Sequence, residues 1–311
     1  MSLLDRFVAA MLPITPRFVV GRVARRYIAG ETLEEAVTTI RELNEVGAVC
    51  TVDVLGEFIT EFEEAVTTAA TYEKVLDAIA AEKLDSGLSV KPTALGMNID
   101  EARCLALVRA IAKQAQGHDR FLRVDMEDSP VTEKTLTLVR TLVGEGLPVG
   151  AVLQAYLHRT EDDARALGEE GISVRLCKGI YREPPEIAFQ DREAIRQSYR
   201  QSLRALLEGQ GHVGIATHDE VLVKDAREMI RAMGIPKERY EYQMLLGVRE
   251  WLRDDLIRSG EEVRIYVPFG THWYGYSTRR LRENPQLAGN VFRAMFGSDK
   301  KARRSFETPA D

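Results

Sequence analysis

The sequence predicts a (β/α)8 barrel of the TIM type. Eight short segments rich in β-branched and aromatic residues recur along the chain, and helical segments separate them. A chain of 311 residues with 45% hydrophobic content can form one such barrel, so two domains are not required. Polar residues also follow the predicted strands, where barrel enzymes keep their active sites. An open doubly wound sheet is the structural alternative.

The predicted elements follow one another from residue 48 to residue 269. Strands are predicted at 48–55, 88–95, 121–127, 149–156, 172–179, 213–218, 240–245 and 263–269. Helices are predicted between them at 57–83, 100–116, 132–143, 162–167, 186–207, 219–233 and 249–257. A helix at 33–46 is expected outside the barrel. The chain is thus divided into an N-terminal helical segment (1–46), the barrel (47–296) and a basic C-terminal tail (297–311).

Each predicted strand ends in polar residues. Any one of them has a structural explanation, since a lysine can reach solvent and His218 can cap the helix that starts at Asp219. The carboxyl ends of all strands meet at one face of a barrel, so the whole set predicts an active site there. The set is Asp53, Glu57, Lys91, Asp125, Glu127, Gln154, Tyr156, Arg175, Lys178, Thr217, His218, Gln243 and Tyr266.

The segment after the last strand carries the densest cluster of functional groups. A helix from just after Thr271 to just before Pro285 places four polar residues on one stripe. Two guanidiniums beside a tyrosine match a carboxylate in bidentate geometry, and a glutamate can hold the arginines or meet an ammonium group. The stripe predicts a receptor for a small zwitterion, and its structural alternative is a solvated surface. Its residues are Tyr276, Arg279, Arg280 and Glu283.

Composition excludes several classes of protein. A net charge of −6 argues against a general nucleic-acid binder. Cys50, Cys104 and Cys177 show no zinc-binding spacing, and the five histidines do not pair as metal ligands, so we expect no metal and a reducing compartment such as the cytoplasm. Dinucleotide-binding, P-loop, zincin and nucleophilic-serine motifs are missing from the sequence.

The N-terminal segment is amphipathic and rich in arginine. It contains no apolar run long enough to span a bilayer. Such a segment either packs on the outside of the domain or contacts the inner face of a membrane peripherally.

Three of the strand-end residues predict a flavin site. Arg175 and Lys178 place positive charge where it can stabilise an electron-rich ring or a pyrophosphate, and Gln154 offers both a donor and an acceptor. A cation near the pyrimidine end of a flavin stabilises its anionic reduced form.

Eight sequence fragments resemble the proline dehydrogenase family, in its monofunctional FAD-dependent form. In chain order they are SVKPTAL, VDMED, LQAY, VRLCKGIYREP, ATHD, YEYQMLLG, YVPFGTHWY and YSTRRLRENP, and the match as a whole runs from about residue 53 to residue 285. The resemblance implies a distorted barrel holding FAD non-covalently, with the last helix over its mouth. It further implies oxidation of L-proline to Δ1-pyrroline-5-carboxylate by hydride transfer to flavin N5, the first step of proline catabolism. A quinone would take the electrons, and a separate pyrroline-5-carboxylate dehydrogenase would take the product.

The resemblance also implies roles for individual residues. Asp125 and Arg175 would be catalytic, and Glu57 would close an ionic gate onto Arg279. Substrate contacts would come from Lys91, Leu245, Tyr266, Tyr276, Arg279, Arg280 and Glu283. Flavin contacts would come from Met126, Gln154, Arg175, Lys178, Gly179, Ile180, Arg182, Thr217 and His218.

The sequence departs from the family pattern at two positions and leaves two other functions open. Ile180 stands where a smaller residue is expected, and Arg182 stands where some members have tryptophan. A Schiff-base aldolase on the same barrel would use Lys91 or Lys178 as its nucleophile. A non-catalytic protein that binds membrane or RNA through its basic ends is the second alternative.

Overall fold

The computed structural model describes residues 26–56, 59–274 and 277 of the chain. Its strands form one closed parallel barrel in sequence order, in which the first strand pairs with the last. This closure confirms the predicted (β/α)8 barrel and rules out the open sheet. The strands are β1 (Val49–Val54), β2 (Ser86–Val90), β3 (Leu122–Val124), β4 (Val149–Gln154), β5 (Val174–Cys177), β6 (Val213–Ala216), β7 (Tyr240–Leu245) and β8 (Val263–Phe269).

Helices connect successive strands and cover the outside of the barrel. The first helix packs against β1 and β8, so it takes a place in the outer ring. In the described part of the chain, every helix is too short or too polar to cross a membrane. The helices are α1 (Leu33–Glu45), α2 (Phe62–Ala81), α3 (Glu101–Gly117), α4 (Thr132–Gly144), α5 (Thr160–Glu169), α6 (Arg192–Glu208), α7 (Glu220–Met233) and α8 (Glu250–Arg258).

Side chains that accept backbone hydrogen bonds set several of the helix starts. Thr32 and Glu35 form a capping box at α1, and Asp100 and Asp219 cap α3 and α7. Each cap satisfies backbone N–H groups that have no partner within the helix. The predicted starts of these three helices therefore agree with the structure to within one residue.

Three predicted elements were wrong by five or more residues at one end, and one of them, the helix predicted at 57–83, begins only at Phe62. The second strand was predicted at 88–95 but ends at Val90, because Pro92 has no N–H for the ladder and the chain turns into a short 3-10 helix at Thr93–Leu95. The helix predicted at 186–207 begins only at Arg192, where the Asp191 carboxylate accepts bonds from the first turn.

The inside of the barrel is unusually polar, whereas its apolar core lies between the strands and the helices. Arg123 is buried in the interior and donates hydrogen bonds to Ala151 O and Ser173 O, each at 2.9 Å. A Cβ atom added at Gly150 would lie 2.5 Å from Arg123 Nη1. Glycine on β4 therefore makes room for a long charged side chain from β3.

Candidate functional site

A cavity of about 290 Å³ opens at the carboxyl ends of the barrel strands. Successive side chains on a strand point to opposite faces of the sheet, so every second residue points toward the barrel axis. At the carboxyl ends of the strands these inward-pointing residues converge on the cavity. Polar residues from seven of the eight strands line the cavity: Lys91, Asp125, Gln154, Arg175, Thr217, Gln243 and Tyr266. The strand-end pattern in the sequence thus predicted the position of the cavity.

Asp125 is the centre of a hydrogen-bonded cluster on the cavity floor. Its Oδ1 atom accepts bonds from Ser89 Oγ and Arg175 Nη1, both at 2.7 Å, and its Oδ2 atom accepts one from the Tyr266 hydroxyl at 2.8 Å. Arg175 also lies over the Tyr266 ring, with Cζ 5.3 Å from the ring centroid. The bonds come from β2, β5 and β8, so they hold the carboxylate and the guanidinium in fixed directions.

The second charged pair of the site is Lys91 with Asp53. Lys91 Nζ donates to Asp53 Oδ1, and both side chains are almost completely buried. Burial raises the pKa of Asp53, although the Lys91 charge opposes that rise. Asp53 Oδ2 has no hydrogen-bond partner among the described residues. Asp53 thus fixes the lysine ammonium at the edge of the cavity, 38 positions away in the sequence.

The loops after β4 and β5 form one wall of the cavity. Gln154 Nε2 donates to the Glu127 carbonyl at 2.8 Å, and Gln154 Oε1 accepts from the Ile180 N–H at 3.3 Å. Gly179 has φ +115°, and any side chain at this position would collide with the Tyr156 ring. Glycine is required here because the backbone of the wall passes directly over an aromatic ring.

The neighbouring part of the rim, after β5 and β6, carries Lys178 and His218. His218 Nε2 accepts a hydrogen bond from the Leu245 N–H at 2.9 Å, which ties the end of β6 to the end of β7. Lys178 Nζ lies 3.3 Å from Asp219 Oδ2, and Arg196 Nη2 lies 2.8 Å from Asp219 Oδ1. Burial opposes ionisation of Asp219, but Arg196 and Lys178 outweigh it and hold its pKa well below the usual range.

Most predicted site residues with described positions come together. Twelve line the cavity: Lys91, Asp125, Met126, Gln154, Arg175, Lys178, Gly179, Ile180, Thr217, His218, Leu245 and Tyr266. Arg182 is exposed and is not among the lining residues. The remaining predicted residues, Glu57, Tyr276, Arg279, Arg280 and Glu283, lie outside the described residues.

Two contacts on the cavity floor were missed at the sequence level. Ser89 was not singled out, and Gln243 was noted only as a polar residue at a strand end. The signal for both was strand alternation, because Ser89 precedes Lys91 by two positions and Gln243 precedes Leu245 by two. In the part of the chain that the structure describes, no three His, Cys, Asp or Glu side chains group as a metal site would require.

The arrangement suits charge stabilisation, because the Arg175 and Lys91 side chains that face the cavity are themselves buried. A buried guanidinium and a buried ammonium face a common cavity, and their protein counter-ions are held in place by further hydrogen bonds. Such fixed charges stabilise negative charge on a bound anion or an electron-rich ring more strongly than mobile surface charges do.

Comparison with known proteins identifies the relatives of this chain. A family model described as proline dehydrogenase matches residues 36–293. Proline dehydrogenase 1 of Bacillus subtilis (strain 168) is 35% identical over 272 residues, which cover 88% of this chain and 90% of the relative. Proline dehydrogenase of Deinococcus radiodurans is 35% identical over 278 residues, with the same shares of the two chains covered.

A solved structure of a longer protein has the same barrel. Proline utilization A from Bdellovibrio bacteriovorus, inactivated by N-propargylglycine, superposes with a TM-score of 0.80 at 25% identity. The match covers 86% of this chain but 34% of that chain, so this chain spans about one third of the length of that protein. With the family model, the two curated relatives and this barrel in agreement, the chain belongs to the proline dehydrogenase family and is an oxidoreductase.

Proposed function

We propose that the enzyme oxidises L-proline to Δ1-pyrroline-5-carboxylate with FAD as its hydride acceptor. The observation that supports this most directly is the Asp125, Arg175 and Tyr266 cluster on the floor of the cavity. This cluster lies at the carboxyl ends of the strands, where barrel enzymes carry out their chemistry. Membership of the proline dehydrogenase family supplies the substrate.

The residues around the cavity fit a non-covalently bound flavin. Arg175 presents positive charge from the floor, and Met126, Val152 and Leu245 contribute apolar surface for a planar ring. Lys178 stands at the rim with 38% of its side chain exposed, so it is placed to meet a phosphate group. We assign the flavin contacts to Met126, Gln154, Arg175, Lys178, Gly179, Ile180, Arg182, Thr217 and His218.

When bound, FAD would supply a two-electron acceptor at N5 for the hydride that leaves the substrate. Arg175 would favour this transfer, because a guanidinium held near the ring stabilises negative charge that develops there. Asp125 holds Arg175 in place through the 2.7 Å bond to Nη1. Together these two residues would set the redox potential of the site.

Proline would be held by its carboxylate at one end and by its ring at the other. Lys91, whose side chain is 7% exposed, presents an ammonium group to the carboxylate. Tyr266 and Leu245 line the cavity and would form walls for the pyrrolidine ring. From the sequence we add Arg279 and Arg280 to the carboxylate contacts, Tyr276 and Glu283 to the substrate pocket, and Glu57 as the gate that closes on Arg279.

Oxidation breaks the C–H bond at the ring carbon that is bonded to nitrogen and remote from the carboxylate. The nitrogen lone pair forms the C=N double bond as the hydride leaves, so the amine must first lose its ammonium proton to solvent water. The positive charges of Lys91 and Arg175 favour the neutral amine over the ammonium form. The protein thereby lowers the barrier through charge placement and through the orientation of the ring.

Two partners complete the proposed reaction. A quinone would reoxidise the flavin, and the amphipathic N-terminal segment would contact the inner face of the membrane where quinones are dissolved. A separate pyrroline-5-carboxylate dehydrogenase would consume the product. These assignments place the enzyme in the cytoplasm with a peripheral membrane contact.

The visible absorption spectrum, recorded before and after anaerobic addition of L-proline, tests the proposal. We expect flavin bands near ~450 nm that bleach when proline is added, as reduction of a bound flavin requires. Trapping the imine product with an aromatic amino aldehyde would then identify it. A protein that stays colourless after FAD is supplied would refute the cofactor and the reaction together.

The Schiff-base aldolase alternative is not favoured by the geometry. Lys91 pairs with Asp53, and Lys178 pairs with Asp219. A lysine nitrogen engaged in an ion pair with a carboxylate is a poor nucleophile toward a carbonyl. Covalent trapping of a keto substrate on either lysine by borohydride would reverse this conclusion.

A further inference from the structure

A chain of buried polar side chains runs along the barrel axis below the cavity. Arg175 Nε donates to Gln243 Oε1 at 2.5 Å, and Gln243 Nε2 donates to Glu241 Oε1. Glu241 Oε1 also accepts from Arg264 Nε at 2.7 Å. We call these four residues, Arg175, Gln243, Glu241 and Arg264, the axial relay. It links the guanidinium on the cavity floor to the opposite end of the barrel.

The charge of Glu241 determines which way the Gln243 amide faces. Burial opposes ionisation of Glu241, but Arg264 outweighs it and lowers the pKa of Glu241 to about 2. An ionised carboxylate only accepts hydrogen bonds, so the NH2 group of Gln243 must face Glu241 and its oxygen must face Arg175. The flipped amide would set oxygen against carboxylate and NH2 against guanidinium, and both contacts would be repulsive.

The relay leaves Arg175 with one direction open. Its Nε is bound to Gln243 below and its Nη1 is bound to Asp125 at the side. The hydrogen bonds of Arg175 to other described residues all come from Nε and Nη1, which leaves Nη2 available, and Arg175 lines the cavity. Because a guanidinium is planar, fixing Nε and Nη1 also fixes the direction in which Nη2 points.

The neighbouring strand is built to admit the relay. Gly214 on β6 faces Gln243, and a Cβ atom there would collide with the Gln243 amide and lie 3.5 Å from the Arg175 Cα atom. Gln243 and Glu241 are 6% and 2% exposed, so the hydrogen bonds between them and to Arg175 are largely shielded from bulk water. The relay is therefore a packed feature of the interior.

We propose that Gln243 and Glu241 are positioning residues for proline oxidation, which fix the Arg175 guanidinium in the plane that presents Nη2 to the flavin ring. The inference rests on the proposed function, because it assigns the oriented guanidinium to a bound flavin. Glu241 lies below the cavity, and Gln243, although it lines the cavity floor, acts through its hydrogen bond to Arg175.

The test compares Gln243→Leu with Tyr242→Phe, a control on the same strand whose side chain belongs to the core outside the barrel. For both we would measure FAD affinity, the midpoint potential of the bound flavin without proline, and kcat and KM for proline. In Gln243→Leu we expect kcat to fall about tenfold or more, as loss of one charge-assisted hydrogen bond implies, with KM within about twofold of wild type. The midpoint potential should fall, because the displaced guanidinium stabilises the reduced flavin less.

A double variant that exchanges the two residues, Glu241→Gln with Gln243→Glu, separates orientation from folding. It keeps the total charge and restores an acceptor for Arg175 Nε. We expect kcat to return to within about threefold of wild type while the potential stays below it, since the carboxylate now lies directly against Arg175. The exchange variant decides alone if Gln243→Leu does not fold.

Either of two results overturns the inference. The first is Gln243→Leu with wild-type kcat and potential, and the second is an exchange variant that folds and binds FAD but has a kcat about tenfold or more below wild type. Failure of the proposed function would look different, because wild-type protein would then show no bleaching with proline.

Discussion

Replacing Tyr266 with phenylalanine removes the hydroxyl group that binds Asp125 on the cavity floor. The Tyr266 hydroxyl donates to Asp125 Oδ2 at 2.8 Å, whereas the other two donors, Ser89 and Arg175, both bind Oδ1. Without Tyr266 the carboxylate is held at one oxygen and can rotate about its own axis. The phenyl ring would still pack as a wall of the cavity, so the substitution separates the hydrogen bond from the packing.

The expected loss follows from the kind of bond that is removed. A hydrogen bond to a charged group contributes about 1.5–3 kcal/mol. At about 1.4 kcal/mol for each factor of ten, kcat/KM for proline should fall about 10- to 150-fold. Most of the fall should appear in kcat, because the ring that would contact proline is retained while the support of Asp125, and through it Arg175, is weakened.

Tyr240→Phe is a matched control for this prediction. The Tyr240 hydroxyl donates to Glu261 Oε2 at 2.9 Å, so the same substitution removes a similar bond, but at the other end of β7, away from the cavity. Anaerobic flavin reduction by proline gives the rate, and the absorbance ratio of flavin to protein reports retained FAD. A Tyr266→Phe enzyme that holds FAD and keeps kcat/KM within about twofold of the control would refute the assignment of Asp125 as a catalytic group.

Three further predictions follow. Gly150→Ala should destabilise the protein by about 1–3 kcal/mol in urea unfolding, because the new methyl group would overlap Arg123 Nη1, whereas Gly144→Ala, which meets nothing within 4 Å, should be neutral or stabilising. Glu241, whose pKa is lowered in the folded state to about 2, contributes stability above the ordinary value of 4.5 that is lost as pH falls toward 2. The loss is at most about 3 kcal/mol. Because Glu241→Gln lacks the titrating carboxyl group, its free energy of unfolding should fall less steeply with decreasing pH than that of wild type. Parallel profiles of the two proteins would contradict this. Arg279→Ala should raise the KM for proline steeply through loss of a carboxylate contact, and an unchanged KM would remove Arg279 from the substrate site.

Local patterns in the sequence were sufficient for the fold and for the face of the barrel on which the cavity opens. Alternation of strand and helix predicted the closed barrel, and the order of the eight strands follows the order of the chain. Residues such as Asp125 and Arg175 were selected because they stand at or near strand ends, and the structure brings both to the cavity. The polar stripe with Arg279 lies outside the described residues and stays a prediction.

Element boundaries were less predictable than element types. The second strand was placed too late because its first residues, Ser86 and Gly87, have low strand propensity, and their place in the ladder depends on pairing with Cys50 and Thr51 of β1. Such pairing depends on the assembled sheet, and it cannot be read from the residues around β2 alone.

The sequence by itself determined which residues face the barrel axis, since a strand has a period of two residues and the period can be counted along the chain. Only the tertiary structure decided which of those residues meet. Tyr266 and Asp125 are 141 positions apart, and Arg175 and Gln243 are 68 apart, so their contacts depend on strand register and on closure of the barrel. Register across a closed sheet is set by all eight strands at once, and for that reason the support of Arg175 by Gln243 and Glu241 became visible only in three dimensions.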